Sequence, residues 1–153
     1  MPEATSTPNT IVLVGELHFQ HVEYTAGGAI TPGHVVEVYN SSGQKCRKCT
    51  VNGGKARLLI AKEDAKVGRL ITDAYASGEV VPCHEARSGD MIYGFLAAAA
   101  TAVTVADLLE LNGAGGWAKT DGVGTTDFPL GQAEESVDNS GGGSEARIRV
   151  RIL

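Results

Sequence analysis

The last seven residues of the chain, RIRVRIL (147–153), carry its clearest periodic pattern. Arginine alternates there with an aliphatic residue: Arg147, Ile148, Arg149, Val150, Arg151 and Ile152. Because successive side chains of a strand point to opposite faces, the pattern predicts a C-terminal strand that buries its aliphatic face against the core. The guanidinium face has two open interpretations: a solvated edge that discourages aggregation, or a face that docks outward or pairs with acidic residues.

Short apolar or β-branched runs, separated by turn residues, continue upstream of this strand. The runs predicted as strands cover residues 11 to about 19, 35–39, 46–51, 56–61, 79–83 and 91–96. Asn52-Gly53-Gly54 predicts a hairpin between the third and fourth of these runs. Residues 97–111 begin with four alanines, which favour helix, but the interleaved Thr and Val residues favour a strand and a turn. The spacing predicts an all-β fold, a small Gly-rich β-barrel or sandwich.

The composition narrows the class of function. The chain has 153 residues, of which 20 are glycine and only 5% aromatic, as is typical of a turn-rich β protein with small aliphatic side chains. Lys plus Arg total 13 and Asp plus Glu total 18, and the net charge of −5 argues against a general binder of nucleic acid or acidic membranes. The longest charge-free stretch, 91–106, is too short for a good membrane span. Residues 1–10 lack a signal-peptide pattern, so we expect synthesis in the host cytoplasm.

The domain organisation is expected to be simple. Residues 1–10 are polar, contain two prolines and have no apolar period, so they predict an extended, flexible N-terminal arm. Residues 11–153 are expected to form a single β domain. Within it, 112–146 is rich in glycine and acidic residues. This composition predicts a long acidic loop excursion before the strand at 147–153.

Three cysteines and one histidine form a pattern that suggests a metal site. Cys46 and Cys49 have the CxxC spacing that lets two thiolates reach one Zn²⁺, and Cys83 with His84 could supply the other ligands. Against this, Cys83 and His84 are neighbours and would point to opposite faces of a strand. The alternatives are reduced, buried cysteines that behave as small hydrophobes, and a redox pair, which needs a helix behind Cys46. A small zinc-binding β module is therefore the second functional hypothesis.

No catalytic motif stands out. The chain contains neither a GxSxG nucleophile elbow nor a GxxxxGK[ST] phosphate loop, and its four histidines form no HExxH pair. The acid pairs Glu63-Asp64 and Glu134-Glu135 lie in loop-like segments, where solvated turns explain them better than acid–base catalysis. We therefore expect that the protein is not an enzyme and that it has no catalytic residue, no cofactor and no bound metal. A third hypothesis, a biotinyl- or lipoyl-type carrier modified at Lys55, lacks the usual neighbouring Met.

The order of several segments resembles one protein family. A Gly-x-x-x-x-Gly-x-Val-Val turn and strand occupies 28–36, and ITDAYASGE (71–79) follows a charged loop. The later segments are SGDM (88–91), FLAAA (95–99), TAVTVADLLE (101–110) and GGWAK (115–119). With the closing strand, this order resembles the small capsid decoration, or cement, proteins of tailed bacteriophages. The chain departs from the pattern at Ala106, where a glycine is expected before Asp107, and in its CxxC motif and long acidic stretch.

The resemblance implies a β-tulip-like fold and a non-enzymatic structural protein of the virion. Such proteins bind the outer surface of the expanded capsid, commonly as homotrimers at local three-fold positions, and clamp neighbouring subunits of the major capsid protein. A clamp that binds two subunits at once gains avidity without new chemistry. A polar arm such as 1–10 could order on contact and extend the interface. Neither nucleic acid nor a membrane is expected as a partner.

Overall fold

The computed structural model describes residues 7–15, 21–39, 44–52, 57–121 and 128–153. Eleven short strands lie in these ranges: β1 (Val12–Val14), β2 (His21–Ala26), β3 (Val35–Val38), β4 (Lys45–Lys48), β5 (Leu59–Ala61), β6 (Val80–Glu85), β7 (Met91–Leu96), β8 (Leu108–Leu111), β9 (Trp117–Lys119), β10 (Gly131–Ala133) and β11 (Ala146–Ile152). One 3₁₀ turn spans Ala65–Val67, and the same ranges hold no α-helix. The all-β prediction is therefore confirmed.

Strands β2 to β6 form a closed barrel in the order β2-β4-β3-β5-β6. The pair β2 and β4 is parallel and the other pairs are antiparallel. Small and aliphatic side chains fill the interior: Ala26, Val36, Cys46, Leu59, Ala61, Val81 and Cys83. Side chains of this size suit the narrow interior of a five-stranded barrel.

The hairpin predicted at Asn52-Gly53-Gly54 is wrong as a strand pairing. Strand β3 lies between β4 and β5 and pairs with both of them. Its Val35 and Val36 are fully buried, and Val35 belongs to the core shared with the sheet whereas Val36 belongs to the barrel interior. Turn residues indicate that the chain reverses direction. Which strands then pair depends on the pattern of buried hydrophobic residues in each strand. Gly53 and Gly54 lie outside the described residues.

Strands β1 and β7 to β11 form a second sheet in the order β1-β7-β11-β10-β8-β9. A parallel contact between Leu96 and Trp117 also pairs β7 with β9 and turns the sheet back on itself. Strands β1 and β9 therefore share one edge of β7, with β1 at the Ile92 end and β9 at the Leu96 end. Below, "the barrel" is β2–β6 and "the sheet" is β1 with β7–β11.

The C-terminal strand predicted at 147–153 is confirmed by β11. Ile148, Val150 and Ile152 are buried, whereas the arginines between them keep partial exposure. β11 pairs with β7 on one side and with β10 on the other. The solvated-edge interpretation is therefore wrong, because β11 has neighbours on both sides.

The loop expected over 112–146 is wrong in part, because β9 and β10 lie within it. Trp117 is fully buried where β9 meets β7. A Cβ on Gly131 would lie 2.5 Å from Cγ1 of Val150, so this glycine permits close strand packing rather than loop flexibility. Composition alone does not separate these two uses of glycine. Residues 122–127 lie outside the described residues.

One hydrophobic core joins the barrel to the sheet. Val35 and Ile60 of the barrel belong to the same buried cluster as Ile92, Leu109 and Trp117 of the sheet. Each fully buried side chain of this size contributes roughly 1.5–3 kcal/mol. The boundary between barrel and sheet is therefore part of the core rather than a linker.

A turn at residues 31–34 fits the barrel against β7. Gly33 has a φ of +102°, and a Cβ there would lie 2.1 Å from Nη1 of Arg147 and 2.8 Å from the carbonyl oxygen of Tyr93. Both the backbone conformation and the close approach require glycine. The turn-and-strand motif at 28–36 therefore sets the distance between barrel and sheet.

Four turns among the described residues share one hydrogen-bonding scheme. The side chain of an Asp or Glu at the fourth position accepts from the first N–H, and the acid's own N–H donates to the first carbonyl. These turns are Leu70–Asp73, Ala76–Glu79, Arg87–Asp90 and Thr104–Asp107. The third residue has a positive φ in three of them: Gly78, Gly89 and Ala106. Segment 97–111 therefore consists of turns and β8, as predicted, and Ala106 occupies a position that favours glycine.

The chain enters the fold at Ile11, which is fully buried. Its backbone N–H donates to Oε2 of Glu63 over 3.1 Å, which ties the start of the sheet to the barrel. Of the expected arm at 1–10, residues 1–6 lie outside the described residues. Across the ranges that the structure describes, no helix has the length and apolarity needed to cross a bilayer.

Candidate interaction surface

The structure does not assemble the predicted zinc ligands. Cys46 and Cys83 lie in the barrel interior, whereas Cys49 belongs to the core shared with the sheet. His84 contacts Asp90 instead, with 2.8 Å between Nε2 and Oδ2. Within the described ranges, no group of three or more His, Cys, Asp or Glu side chains is arranged to hold a metal. The CxxC spacing suits zinc only where both thiols lie on the same side of the chain. In an extended strand, residues three positions apart point to opposite faces.

The thiols also lack the environment of a redox pair. All three are buried, and Cys46 lies on strand β4 rather than at a helix N-terminus. The pKa of Cys49 is raised by burial. The pKa of Cys83 is raised first by its hydrogen bond with Cys46 and then by burial. The same hydrogen bond lowers the pKa of Cys46, so burial, which the three thiols share, is what makes them poor nucleophiles.

The acid pairs serve as structural acceptors. Glu63 binds the N–H of Ile11, as described above, and Glu134 forms an ion pair with Arg151. Glu135 accepts from the backbone N–H of Arg149 over 2.8 Å. The prediction that the guanidinium face pairs with acidic residues is therefore confirmed for the outer part of β11. Lys55, the residue of the carrier hypothesis, lies outside the described residues.

Arg147 has a different role from the other two arginines. Its Nη2 donates to the carbonyl oxygen of Ile71 over 2.7 Å, and its Nη1 donates to that of Tyr93 over 3.2 Å. The guanidinium carbon lies 3.8 Å from the ring centroid of Phe95. Burial lowers the pKa of Arg147. These contacts hold the barrel–sheet boundary together and leave little of the side chain for a partner.

The most exposed large apolar side chains lie mainly in the connection from β5 to β6 and at the start of β6. Val67 is 70% exposed, Leu70 63% and Val80 55%. Among the described residues, these are three of the four most exposed; the other is Val105, on a turn of the sheet, at 59%. We call residues 65–73, which carry the first two, the apolar loop.

The apolar loop is held by its own hydrogen bonds. The side chain of Asp64 accepts from the N–H of Lys66, and Gly68 closes the 3₁₀ turn with a φ of +76°. The N–H of Leu70 then donates to Oδ2 of Asp73 over 2.8 Å. Leu70 is therefore presented from a defined turn rather than from a loose connection.

Arg69 fastens the loop to the barrel. Its guanidinium donates to the carbonyl oxygen of Ala74 over 3.2 Å, forms an ion pair with Glu79 and lies 4.7 Å from the ring centroid of Tyr75. The hydroxyl of Tyr75, which is itself buried, donates to the carbonyl oxygen of Lys62 over 2.7 Å. The loop therefore has charged, aromatic and backbone attachments.

An ordered loop with two aliphatic side chains in water has the properties of a contact site. Ordering a loop costs conformational entropy, and an exposed aliphatic side chain forgoes the ~25 cal/mol per Å² that burial would contribute. A partner that covers the side chains regains the burial energy, and because the loop is already ordered, binding costs little further conformational entropy. The apolar loop is therefore the best candidate for an interaction surface in the described chain.

The fold and the surface together define a small all-β protein in which a closed barrel and a curved sheet share one core. No family model and no curated protein matches the sequence. Among solved structures, the chain is similar to the head fiber gp8.5 N base in bacteriophage phi29, with a TM-score of 0.57 and 10% sequence identity. The match covers 87% of this chain and 92% of that chain. At this identity the likeness shows a common fold.

Proposed function

We propose that this chain is a structural protein of a phage virion, which binds the outer surface of the expanded capsid and clamps neighbouring subunits of the major capsid protein. The observation that carries the proposal is the fold shared with a phage head fiber base over nearly the whole of both chains. A match of that extent involves the barrel and the sheet together, not one small motif. The segment order that resembles capsid decoration proteins supports the same class.

Fold alone does not define function, so the proposal also depends on a site. The apolar loop supplies it: Val67 and Leu70 project from a segment that Arg69 holds in place. Side chains of this kind act as anchors when they enter pockets of a partner and exclude water. In this proposal, the capsid subunit provides an apolar depression for each anchor.

We also propose that the protein is a homotrimer. Its three identical loops would then contact several capsid subunits around a local three-fold axis. Once one loop of the trimer is bound, the other two face their sites on the capsid at a high effective concentration. The avidity can exceed the single-site affinity by roughly 10²–10⁴. A modest apolar contact per chain would then suffice to reinforce the seams between capsid subunits.

The proposed role needs no catalysis. The buried histidines of the described chain are used in structural pairs, His34 with Glu145 and His84 with Asp90. The thiols are packed in the two cores. These histidines and thiols therefore have structural roles within the fold.

Thermal release of packaged DNA from capsids tests the clamping role. Full-length protein is added back to expanded capsids from which it has been stripped, and a DNA-binding dye reports the release temperature. We expect the release temperature to rise with occupancy and to saturate. An unchanged release temperature at saturating protein would contradict the clamping role.

Two variants give this experiment a matched control. Val67→Ser with Leu70→Ser removes both anchors from the apolar loop and should abolish the rise in release temperature. Val105→Ser removes one comparably exposed valine from the sheet and should leave the rise intact. If the loop variant still protects capsids like the unmodified chain, the apolar loop is not the contact site.

A further inference from the structure

The sheet repeats the strand order of the barrel. The barrel has the order β2-β4-β3-β5-β6 and contains one parallel pair, β2 with β4. Without β1, the sheet has the order β7-β9-β8-β10-β11, and its parallel pair is β7 with β9. Strands β2 to β6 therefore correspond, in chain order, to strands β7 to β11.

The pairing registers of the two halves also coincide. Ala26 pairs with Cys46 in the barrel, and Leu96 pairs in the same way with Trp117 in the sheet. Three pairs join β3 to β4 and three equivalent pairs join β8 to β9: Val36–Lys48, Glu37–Arg47 and Val38–Cys46 in the barrel, and Leu109–Lys119, Glu110–Ala118 and Leu111–Trp117 in the sheet. The register therefore assigns each paired barrel residue a counterpart in the sheet.

The turn at 31–34, which fits the barrel against β7, has its counterpart in the turn at 104–107. In both turns the N–H of the fourth residue donates to the carbonyl oxygen of the first. The side chain of the fourth residue also accepts from the first N–H in both. The third residues, Gly33 and Ala106, both have a positive φ. The two halves therefore enter β3 and β8 through the same turn.

These counterparts differ in burial. Pro32 and Val35 are buried, and Val35 belongs to the core that the barrel shares with the sheet. Their counterparts Val105 and Leu108 are 59% and 42% exposed. The sheet therefore leaves in water two apolar positions that are buried in the barrel.

Four residues of the sheet receive the turn at 31–34 and the start of β3. They are Tyr93 and Arg147, which border the Cβ position of Gly33, Phe95, which stacks on His34, and Gly115, whose carbonyl oxygen accepts from the N–H of Val35. Their counterparts in the barrel are, in the same order, Glu23, Val80, Thr25 and Gln44. These four residues, with Tyr24, line one surface depression of about 330 Å³. The barrel therefore has an open counterpart of the face that the sheet uses.

The depression has room for the turn at 104–107. A Cβ on Gly33 would lie 2.1 Å from Nη1 of Arg147, but the counterpart of Arg147 is Val80, which is shorter and leaves space for the Cβ of Ala106. The carbonyl oxygen of Tyr93 lies 2.8 Å from the same Cβ position. A contact with Ala106 must therefore be slightly wider than the internal one.

The side chains of the two surfaces are compatible. Val80, which is 55% exposed, offers an apolar surface to Val105. Glu23 gives the depression a negative charge, and Asp107 of the turn is paired with Lys119 over 2.8 Å. The turn therefore brings its carboxylate to Glu23 together with a lysine.

We propose that the turn at 104–107 of one copy enters this depression on a second copy, so that identical chains join head to tail. The contact repeats, between chains, the contact that joins the barrel to the sheet within each chain. A second copy is the occupant because the turn and the face already fit each other inside this fold. Head-to-tail contacts form a ring where the rotation closes. A ring of three rests on the homotrimer of the proposed function, whereas the contact itself does not.

Sedimentation velocity of the full chain, without capsids, tests the contact. Val80→Asp places a charge in the depression, and Val105→Asp places one on the turn. Each variant alone should sediment as a monomer at concentrations where the unmodified chain is assembled. An equimolar mixture should form dimers, because one variant keeps the turn and the other keeps the depression. A mixture that stays monomeric, a single variant that assembles normally, or an unmodified chain that is monomeric would overturn the proposal.

Control variants separate this contact from general effects of charge and folding. Val14→Asp, at a 49% exposed valine of β1 outside both surfaces, should assemble like the unmodified chain. If an aspartate variant does not fold, serine at the same position should raise the dissociation constant about tenfold, and an unchanged constant would contradict the contact. A tenfold weaker contact is still occupied at saturating protein, so Val105→Ser remains a control in the capsid assay.

The result is independent of capsid binding. Dimers in the mixture from a chain that does not bind capsids would contradict the proposed function and support the head-to-tail contact. Capsid binding by a chain whose variants form no dimers in the mixture would contradict the head-to-tail contact alone.

Discussion

The carboxylate of Asp90 occupies the space in which a side chain on Gly15 would begin. A Cβ on Gly15 would lie 2.0 Å from Oδ1 of Asp90. The other oxygen, Oδ2, accepts from Nε2 of His84 over 2.8 Å and from the N–H of Arg87 over 2.9 Å. Strand β1, the barrel and the turn before β7 therefore meet at one buried carboxylate.

Gly15→Ala should be strongly destabilising. The new Cβ would displace Asp90 from its hydrogen bonds, and the φ of +110° at residue 15 is itself strained for alanine. We expect a loss of roughly 2–4 kcal/mol in the free energy of unfolding, measured with urea. Gly89→Ala is the control, since Gly89 also has a positive φ but has no atom within 4 Å of the Cβ position. Equal losses would show that the Asp90 contact is not responsible.

Ala106→Gly should be stabilising. Ala106 has a φ of +74° at the third position of the Thr104–Asp107 turn, where a glycine carries no steric penalty. We expect a gain of about 0.5–1 kcal/mol in the free energy of unfolding. Ala102→Gly provides the comparison, because Ala102 is exposed and has an ordinary negative φ. A loss of stability in both variants would contradict this account of the turn.

Arg147→Met and Arg151→Met should differ in cost. The first leaves the carbonyl oxygens of Ile71 and Tyr93 without their charged donor and should cost roughly 2–3 kcal/mol by thermal or urea unfolding. The second removes a partly exposed ion pair with Glu134 and should cost about 0–1 kcal/mol. Neither variant should weaken capsid binding while it stays folded. Weaker binding by a folded Arg151→Met chain would restore an outward docking role for this face.

The stability of the chain should fall as the pH drops through the ordinary range of histidine. Burial holds the pKa of His34 below its unfolded value of 6.5. Between those two values the unfolded chain binds more protons, so the stabilisation is complete above the unfolded pKa and is lost as the pH falls toward the folded pKa. Urea unfolding of the unmodified chain and of His34→Phe at a series of pH values measures the difference. Parallel pH profiles would contradict this assignment.

Much of the fold follows from local patterns in the sequence. The alternation at 147–153 predicts both the strand and its buried face, because a period of two leaves one arrangement. The glycine expected at position 106 by family resemblance corresponds to an observed positive φ. The pairing of β3 between β4 and β5 could not be read from the turn at 52–54, since strand order depends on contacts distant in sequence.

The apolar loop also could not be predicted as an interaction surface from the sequence alone. The exposed side chains of Val67 and Leu70 look like ordinary aliphatic residues in the sequence, and their exposure depends on the surrounding fold. The burial of His34 against Glu145 joins residues that are far apart in the chain. The available signal for the loop was Gly68-Arg69 between the aliphatic Val67 and Leu70, but the contacts of Arg69 with Tyr75 and Glu79 depend on the fold.

Co-sedimentation of the purified chain with stripped capsids measures whether it binds the expanded shell. The same protein is mixed with expanded capsids and with immature, unexpanded capsids, and the bound fraction is measured across a concentration series. We expect saturable binding to expanded capsids and weak binding to immature ones. Absence of binding to both forms, by a chain shown to be folded, would contradict it.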